Sequence, residues 1–351
     1  MKIIVAFDSF KGCLPAVEAC EAARQGVLSR YPDAEVVCLP LSDGGEGLVA
    51  SLTLRSLCLQ EVCIRVHGPL MEPVDATYAI SADGMTAFME MAAACGLPLV
   101  PLEQRDPTKT TTHGLGEMML DAVDRGATHI VLGIGGSATC DGGKGMLGCL
   151  SLSSKALPPL TVACDVTNPL YGPNGAAYVF APQKGATPEQ VEWLDQQLRD
   201  FAAETERLGL ATPEDALHPG AGAAGGLGYA LLTHLKAELK SGIEVVLDAL
   251  HFDKAVEGAD IVITGEGSSD CQTLMGKVPQ GVLQRAKRKG VPVVLMSGQI
   301  HDADALLAAG FSKVVGINEG DHRSLSILMS PEVAKENIQR ASNHWIDMRH
   351  P

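Results

Sequence analysis

The sequence predicts an α/β protein: a Rossmann-like parallel-sheet domain split by an inserted second α/β domain with a mixed sheet. Three observations predict it. Short apolar runs alternate with helical stretches at both ends of the chain, the signature of a parallel sheet covered on both faces. Neither end alone is large enough to bury a sheet, so the two ends are read as sharing one. The middle has another texture, opening on a β-hairpin pattern and then turning helical. The expected boundaries are 1–66 with 243–351 for the split domain and 67–242 for the insertion, which looks shortened near 150–160.

The 351 residues are long for one domain and suit two. A hydrophobic fraction of 46% supplies a large core and argues against disorder. No apolar run reaches the length of a membrane span. The start, MKIIVAFDSFKG, meets charge and glycine too early for a signal peptide, so a cytoplasmic location is expected. A net charge of −15 excludes nucleic acid and anionic membrane surfaces as partners. An anionic ligand would have to be met by lysines gathered locally against that field. The ten cysteines include no CxxC pair, and most, such as Cys20, Cys38, Cys63 and Cys149, lie in apolar runs. They read as free thiols in a reducing compartment rather than as metal ligands.

From the amino end, IIVAF (3–7) is a short strand. Pro15 opens a helix that puts Val17, Cys20, Ala23 and Val27 roughly on one face. EVVCLPL (35–41) is a second strand, followed by SDGGEG. In the middle, DATYAISADGMTAFMEM (75–91) reads as two β runs around Asp83-Gly84, a hairpin turn signal. Helical stretches are expected at about 113–125, 187–208 and 226–240. The second opens with Thr187-Pro188-Glu189-Gln190, a capping box with proline at the first helical position, and stops at Gly209. At the carboxyl end, ADIVIT (259–264) is a strand running into GEG. A helix over 280–289 follows, closed by Lys289-Gly290, then VPVVLMS (291–297), a short helix over 303–309 and KVVGI (313–317).

The segment GIGGSATCDGGKG (133–145) places six glycines in thirteen positions directly after the apolar HIVL. A Walker A motif is excluded: before Gly276-Lys277, Cys271 stands where the first glycine belongs, and Val278 replaces the hydroxyl residue. A dinucleotide fingerprint starts well at Gly133, Gly135 and Ala138 but lacks its acidic partner in LSLSSKALPPL. Gly220, Gly222 and Gly225 match the same spacing after His-Pro rather than after a strand. What remains is a recurring set. Lysine sits beside glycine at Lys11, Lys144, Lys184 and Lys277. Carboxylates share those loops: Asp8, Asp43, Glu46, Asp141, Asp165, Glu266 and Asp270. Nearly all fall just past apolar runs, where open α/β sheets bind ligands. Bare amides and lysine suit phosphate oxygens, and carboxylates suit Mg²⁺ or an attacking hydroxyl. That set points to phosphoryl transfer from a nucleotide. His113, after three threonines, reads as a helix cap, and Cys140 and Cys164 read as small fillers beside Asp141 and Asp165.

The segments AFDSFKGCLPA, LSDGGEGL, GPLMEPVDA, GIGGSATCDGGKGML, ACDVTNPLYGPNGAAYVFAPQKGAT, PGAGAAGGLG, LKSGIEVVL and TGEGSSDCQTLMGKVPQGV together resemble the bacterial type-1 glycerate kinases, in the expected order over almost the whole chain. The resemblance implies ATP-dependent phosphorylation of D-glycerate with Mg²⁺, usually to 2-phosphoglycerate, by a split two-domain α/β protein. Two segments depart from the family pattern. The family usually has a few tens more residues between GGKGML and TVACDV, where LGCLSLSSKALPPL bridges directly here. The family usually reads GEGRID where this chain has GEGSSD, so Ser268 replaces an arginine and Ser269 an isoleucine. Serine cannot supply the bidentate cation that such an arginine offers to a carboxylate or phosphate.

Roles follow from the chemistry that the resemblance implies. Asp165 is expected to orient the glycerate hydroxyl, with Lys11, Asp8 and Lys277 as further catalytic groups. Asp43, Glu46, Asn168, Asp270 and Gln272 are expected against the substrate. The amides of Gly135, Gly136, Ser137, Gly142 and Gly143, with Gly265, Glu266 and Gly267, are expected at the nucleotide. Asp141 and Asp270 are the expected magnesium ligands. D-glycerate and ATP are the expected partners, and a homodimer is compatible with the sequence. Three other readings compete: a degenerate kinase that only binds glycerate or nucleotide, a kinase for a related small hydroxy acid, and a nicotinamide-dependent dehydrogenase. One assay with ATP, Mg²⁺ and glycerate separates them.

Overall fold

The run KIIVAF forms the strand Lys2–Phe7, and every side chain from Ile3 to Phe7 is fully buried. Successive strand residues face opposite sides, so both faces of this sheet are covered. Ile3, Val5 and Phe7 join Ala19, Ala23 and Val27 of the helix Ala16–Arg30 and Ala334 and Ile338 of the helix Pro331–Trp345 in one core. The computed structural model describes residues 1–42 and 59–345. It divides into two units, Met1–Asp43 with Val246–Pro351, and Gly44–Val245.

The first unit holds a five-stranded sheet in the order Lys313–Gly316, Val293–Ser297, Ile261–Gly265, Lys2–Phe7, Glu35–Cys38. All four pairings are parallel, and Lys2–Phe7 lies directly against Ile261–Gly265 across a gap of some 250 residues in sequence. The two chain ends therefore do share one sheet. Beyond its strand ends, Ser268–Ser269 and Gln299–Ile300 pair as a short parallel ladder.

The second unit holds a six-stranded mixed sheet in the order Gln60–His67, Pro73–Ile80, Thr86–Glu90, His129–Gly133, Leu160–Ala163, Glu238–Lys240. The first two pairings are antiparallel and the other three parallel. The hairpin at Asp83-Gly84 forms as expected: the Asp83 carboxylate accepts from the Met85 amide at 2.9 Å, and Gly84 has φ +75°. The strands His129–Gly133 and Leu160–Ala163 are parallel neighbours joined by the helix Lys144–Ser151. The crossover is thus complete although the connection after the helix is short.

Two expectations change. Gln60–His67 pairs along its whole length with Pro73–Ile80, so it belongs to the second sheet and the first crossing lies before it rather than at 66/67. The helix expected over 226–240 is instead Ala223–His234 followed by the strand Glu238–Lys240. Near its start Ala224, Gly225 and Gly226 all take left-handed backbone angles. The chain turns there to fit against Thr139 and Cys140, whose backbone a Cβ on Gly225 would overlap.

Candidate functional site

Each unit carries a cavity at the carboxyl ends of its parallel strands. In the first unit, a cavity of about 390 Å³ is lined by Asp8, Lys11, Glu266, Gly267, Ser268 and Lys277 together with an apolar side that includes Ile317 and Met329. Asp8 follows the strand Lys2–Phe7 and Glu266 follows Ile261–Gly265, so the parallel register brings the two carboxylates to the same edge. Both are buried. Glu266 is held by hydroxyls: its Oε1 accepts from Thr273 Oγ1 at 2.7 Å and Ser269 Oγ at 3.0 Å, and Ser269 in turn contacts Ser297 Oγ at 2.7 Å. Its other oxygen, Oε2, stands 3.9 Å from the Lys277 ammonium. Ser269, where the family pattern has isoleucine, is thus a working member of the network that orients Glu266. Ser268 is exposed on the cavity wall.

In the second unit, a cavity of about 490 Å³ is lined by Gly135, Gly136, Ser137, Asp165, Lys184 and Arg105, among others. Lys184 is the main finding there. It is only 3% exposed, and its ammonium donates to Ser137 Oγ and to the Thr139 carbonyl, both at 2.7 Å. Burial pushes its pKa down from 10.5 to about 8, with Cys140 and Asp141 opposing the shift. Arg105 has a buried Nε with no hydrogen-bond partner among the described residues. Asp165 is exposed; its Oδ1 accepts from the amide of Gly242, the first residue of the helix Gly242–Ala249, at 2.8 Å. Burial raises the Cys140 and Cys164 thiols to about 11, which suits fillers rather than nucleophiles.

The expected set is therefore gathered in two places: Asp8, Lys11, Glu266, Gly267 and Lys277 in one, Gly135, Gly136, Ser137 and Asp165 in the other. Several expected residues do other work. Asp141 is engaged within its surroundings: its Oδ2 accepts from the Thr112 amide and hydroxyl and the Gly145 amide, and its Oδ1 from the Gly143 amide. The Gly142 amide donates to the Gly225 carbonyl at 3.0 Å, so neither glycine of this pair offers its N–H to a phosphate. Gly265 is buried in its strand, where a Cβ would overlap the Met296 carbonyl oxygen; close strand packing, not a nucleotide, requires glycine there. Asp270 caps the turn Cys271–Leu274 through the Gln272 amide at 2.8 Å, and neither Asp270 nor Gln272 lines the cavity. Asn168 donates to the Asn174 carbonyl at 2.8 Å and holds its own loop. Asp43 and Glu46 lie outside the described residues. Conversely, Lys184 stands out in the sequence only as one of the lysines beside glycine, with no individual role, and Arg105 carries no signal at all.

The model of the glycerate kinase family matches residues 3–156 and 153–349. A glycerate kinase of Bacillus subtilis (strain 168) is 45% identical over 352 residues, taking in 91% of each chain. The glycerate 2-kinase of Escherichia coli (strain K12) is 44% identical over 331 residues, taking in 86% of each. The crystal structure of a protein assigned as glycerate kinase 2 from Salmonella typhimurium LT2 superposes with a TM-score of 0.82 at 40% identity, covering 98% of this chain and 97% of that one. The family match breaks into two pieces that meet at 153–156. The Bacillus subtilis alignment uses 352 positions for 91% of this chain, so that relative carries residues with no counterpart here.

Proposed function

This chain belongs to the glycerate kinase family of phosphotransferases, and on that premise we propose that it moves the γ-phosphoryl group of ATP to D-glycerate, with 2-phosphoglycerate as product. The supporting observation is the charge pattern of the two cavities. In a protein of net charge −15, the first cavity sets Asp8 and Glu266 beside Lys11, Lys277 and glycine backbone, and the second sets Asp165 beside Lys184, Arg105 and the backbone of Gly135 and Gly136. Such a set holds anions while keeping a carboxylate as base for the acceptor alcohol.

The proposed division of labour is as follows. Gly135, Gly136 and Ser137 with the Lys184 ammonium hold phosphate oxygens. In the first unit's cavity, Lys11 and Lys277 hold an anionic group. Asp165 accepts the proton of the glycerate hydroxyl as its oxygen bonds to the γ-phosphorus; the bond from that phosphorus to the β,γ-bridging oxygen breaks, and ADP leaves with the electron pair. Mg²⁺ takes hard oxygen ligands, and the buried carboxylates Asp8 and Glu266 on one cavity fit it. When bound, the ion would offset charge on the phosphates. No helix of the described residues is long and apolar enough to cross a membrane, and the nine described cysteines are free thiols, which supports a cytoplasmic setting.

The test is ADP formation by the purified chain with ATP, Mg²⁺ and D-glycerate, followed by identification of the phosphoglycerate isomer. Asp165→Asn keeps an acceptor for the Gly242 amide but removes the base, so turnover should fall by roughly 10²–10⁴ with the fold intact. Absence of glycerate-dependent ADP formation in the wild type, or full activity in the variant, overturns the reading. Ser268 favours one rival, a protein that binds ligand without turning it over; glycerate binding with no ADP formation would select it.

A further inference from the structure

A cluster of metal-ligating side chains lies in the second unit apart from the residues that line its large cavity. It consists of His67, the last residue of the strand Gln60–His67, with His113 and Glu117 of the helix His113–Asp124. His113 and Glu117 are four residues apart and so share one helix face. The helix approaches the strand end closely because residue 114 is glycine: a Cβ there would overlap the His67 carbonyl oxygen. The Glu117 carboxylate then sits between two imidazoles. Its Oε1 is 2.8 Å from His67 Nδ1 and 3.7 Å from His113 Nε2, and its Oε2 accepts from the His67 amide at 2.7 Å. The two rings meet edge to face at 5.4 Å.

We propose that His67, His113 and Glu117 form a binding site for a borderline divalent transition metal of the Zn²⁺ class. Two imidazole nitrogens and one carboxylate oxygen are a known donor set for such ions, with the fourth position left to water. Around a tetrahedral ion with bonds of about 2.0–2.1 Å, ligand atoms stand about 3.3 Å apart. The observed 2.8 and 3.7 Å separations fall on either side of that value, and the three ligand atoms all lie within 4.8 Å of one another, so side-chain movement alone can close the site. The hydrogen bond from the His67 amide to Oε2 orients the carboxylate from behind, as outer partners of metal ligands do. The side chains of His67, His113 and Glu117 are 43%, 25% and 27% exposed, which leaves an entry path and room for water. The Glu72 carboxylate packs against Gly68, next to His67, and adds negative charge beside the site.

The ion would tie the start of the helix to the strand end. Thr112, directly before His113, holds Asp141 through its amide and hydroxyl, so the clamp would also steady the GGKG loop. This site is separate from the Mg²⁺ of the kinase reading: imidazole donors favour softer ions than Mg²⁺.

The full chain, stripped with a chelator, is titrated with Zn²⁺ alone against a competing chromophoric chelator, and its thermal midpoint is followed. One tight equivalent is expected, with a higher Tm. Co²⁺ in place of Zn²⁺ should show visible d–d bands without thiolate charge transfer. His67→Ala and His113→Ala should each weaken binding at least about tenfold. Glu117→Gln, which keeps the shape of the side chain and an acceptor for the His67 amide, should weaken it with the fold unchanged by circular dichroism. Tight binding retained in both histidine variants, a thiolate band from Co²⁺, or no tight equivalent in the wild type each overturns the proposal.

Discussion

Lys184 carries its charge at a cost. Its folded-state pKa of about 8 lies below the ordinary 10.5, so between those values the unfolded chain holds a proton that the folded chain has lost. Stability contributed by this site therefore rises with pH through that window, and the penalty of burying the ammonium is fully present below pH 8. Lys184→Met should accordingly raise Tm near pH 7, with an advantage over wild type that shrinks as pH rises toward 10.5, while ADP formation collapses. A Tm difference that stays constant across the window would show that Lys184 does not titrate there. Ser268 makes the opposite kind of prediction. It is exposed on the wall that carries Lys11 and Lys277, so Ser268→Arg adds a forked cation without opening the core. The KM for glycerate should fall several-fold with kcat little changed; an unaltered KM removes position 268 from substrate recognition.

Elements were legible wherever their cause is local. The capping box at Thr187 forms in full, the Thr187 hydroxyl accepting from the Gln190 amide at 3.3 Å and the Gln190 side chain from the Thr187 amide at 2.8 Å. Thr187→Ala should cost about 1 kcal/mol in urea unfolding. The break at Ala224–Gly226 was not legible, because its cause is the backbone of Thr139 and Cys140, more than eighty residues away in sequence. Gly265 shows the same limit. Its place after ADIVIT suggested a phosphate loop, yet the neighbouring strand Val293–Ser297 is what excludes a side chain there. Gly265→Ala should destabilise the first unit by roughly 1–3 kcal/mol even without ligand. Wild-type stability in that variant, with activity lost, would return Gly265 to the nucleotide.

At the scale of the molecule, the second unit carries its own six-stranded sheet, and its core, from Val66 to Ala237, draws on no described residue of the first. Residues 44–245 expressed alone should therefore unfold cooperatively, as judged by circular dichroism against temperature. A broad, non-cooperative melt would mean that the insertion depends on its host. The short connection at 152–159 does not threaten this, since it suffices to close the crossover from His129–Gly133 through Lys144–Ser151 to Leu160–Ala163. The sequence by itself determined the fold class, the sharing of one sheet by both chain ends, the hairpin, most helices and the family, because burial periodicity, turn chemistry and long motifs are written in neighbouring residues. Only the tertiary structure decided which of the loop carboxylates face a cavity. Asp141 is taken by Thr112 and Gly145, Asp165 is held by Gly242, and Glu266 is aimed by Ser269 and Thr273 with Ser297 behind them. Whether a lone pair is used up depends on partners that chain folding brings from elsewhere, and no local pattern around an aspartate carries that information.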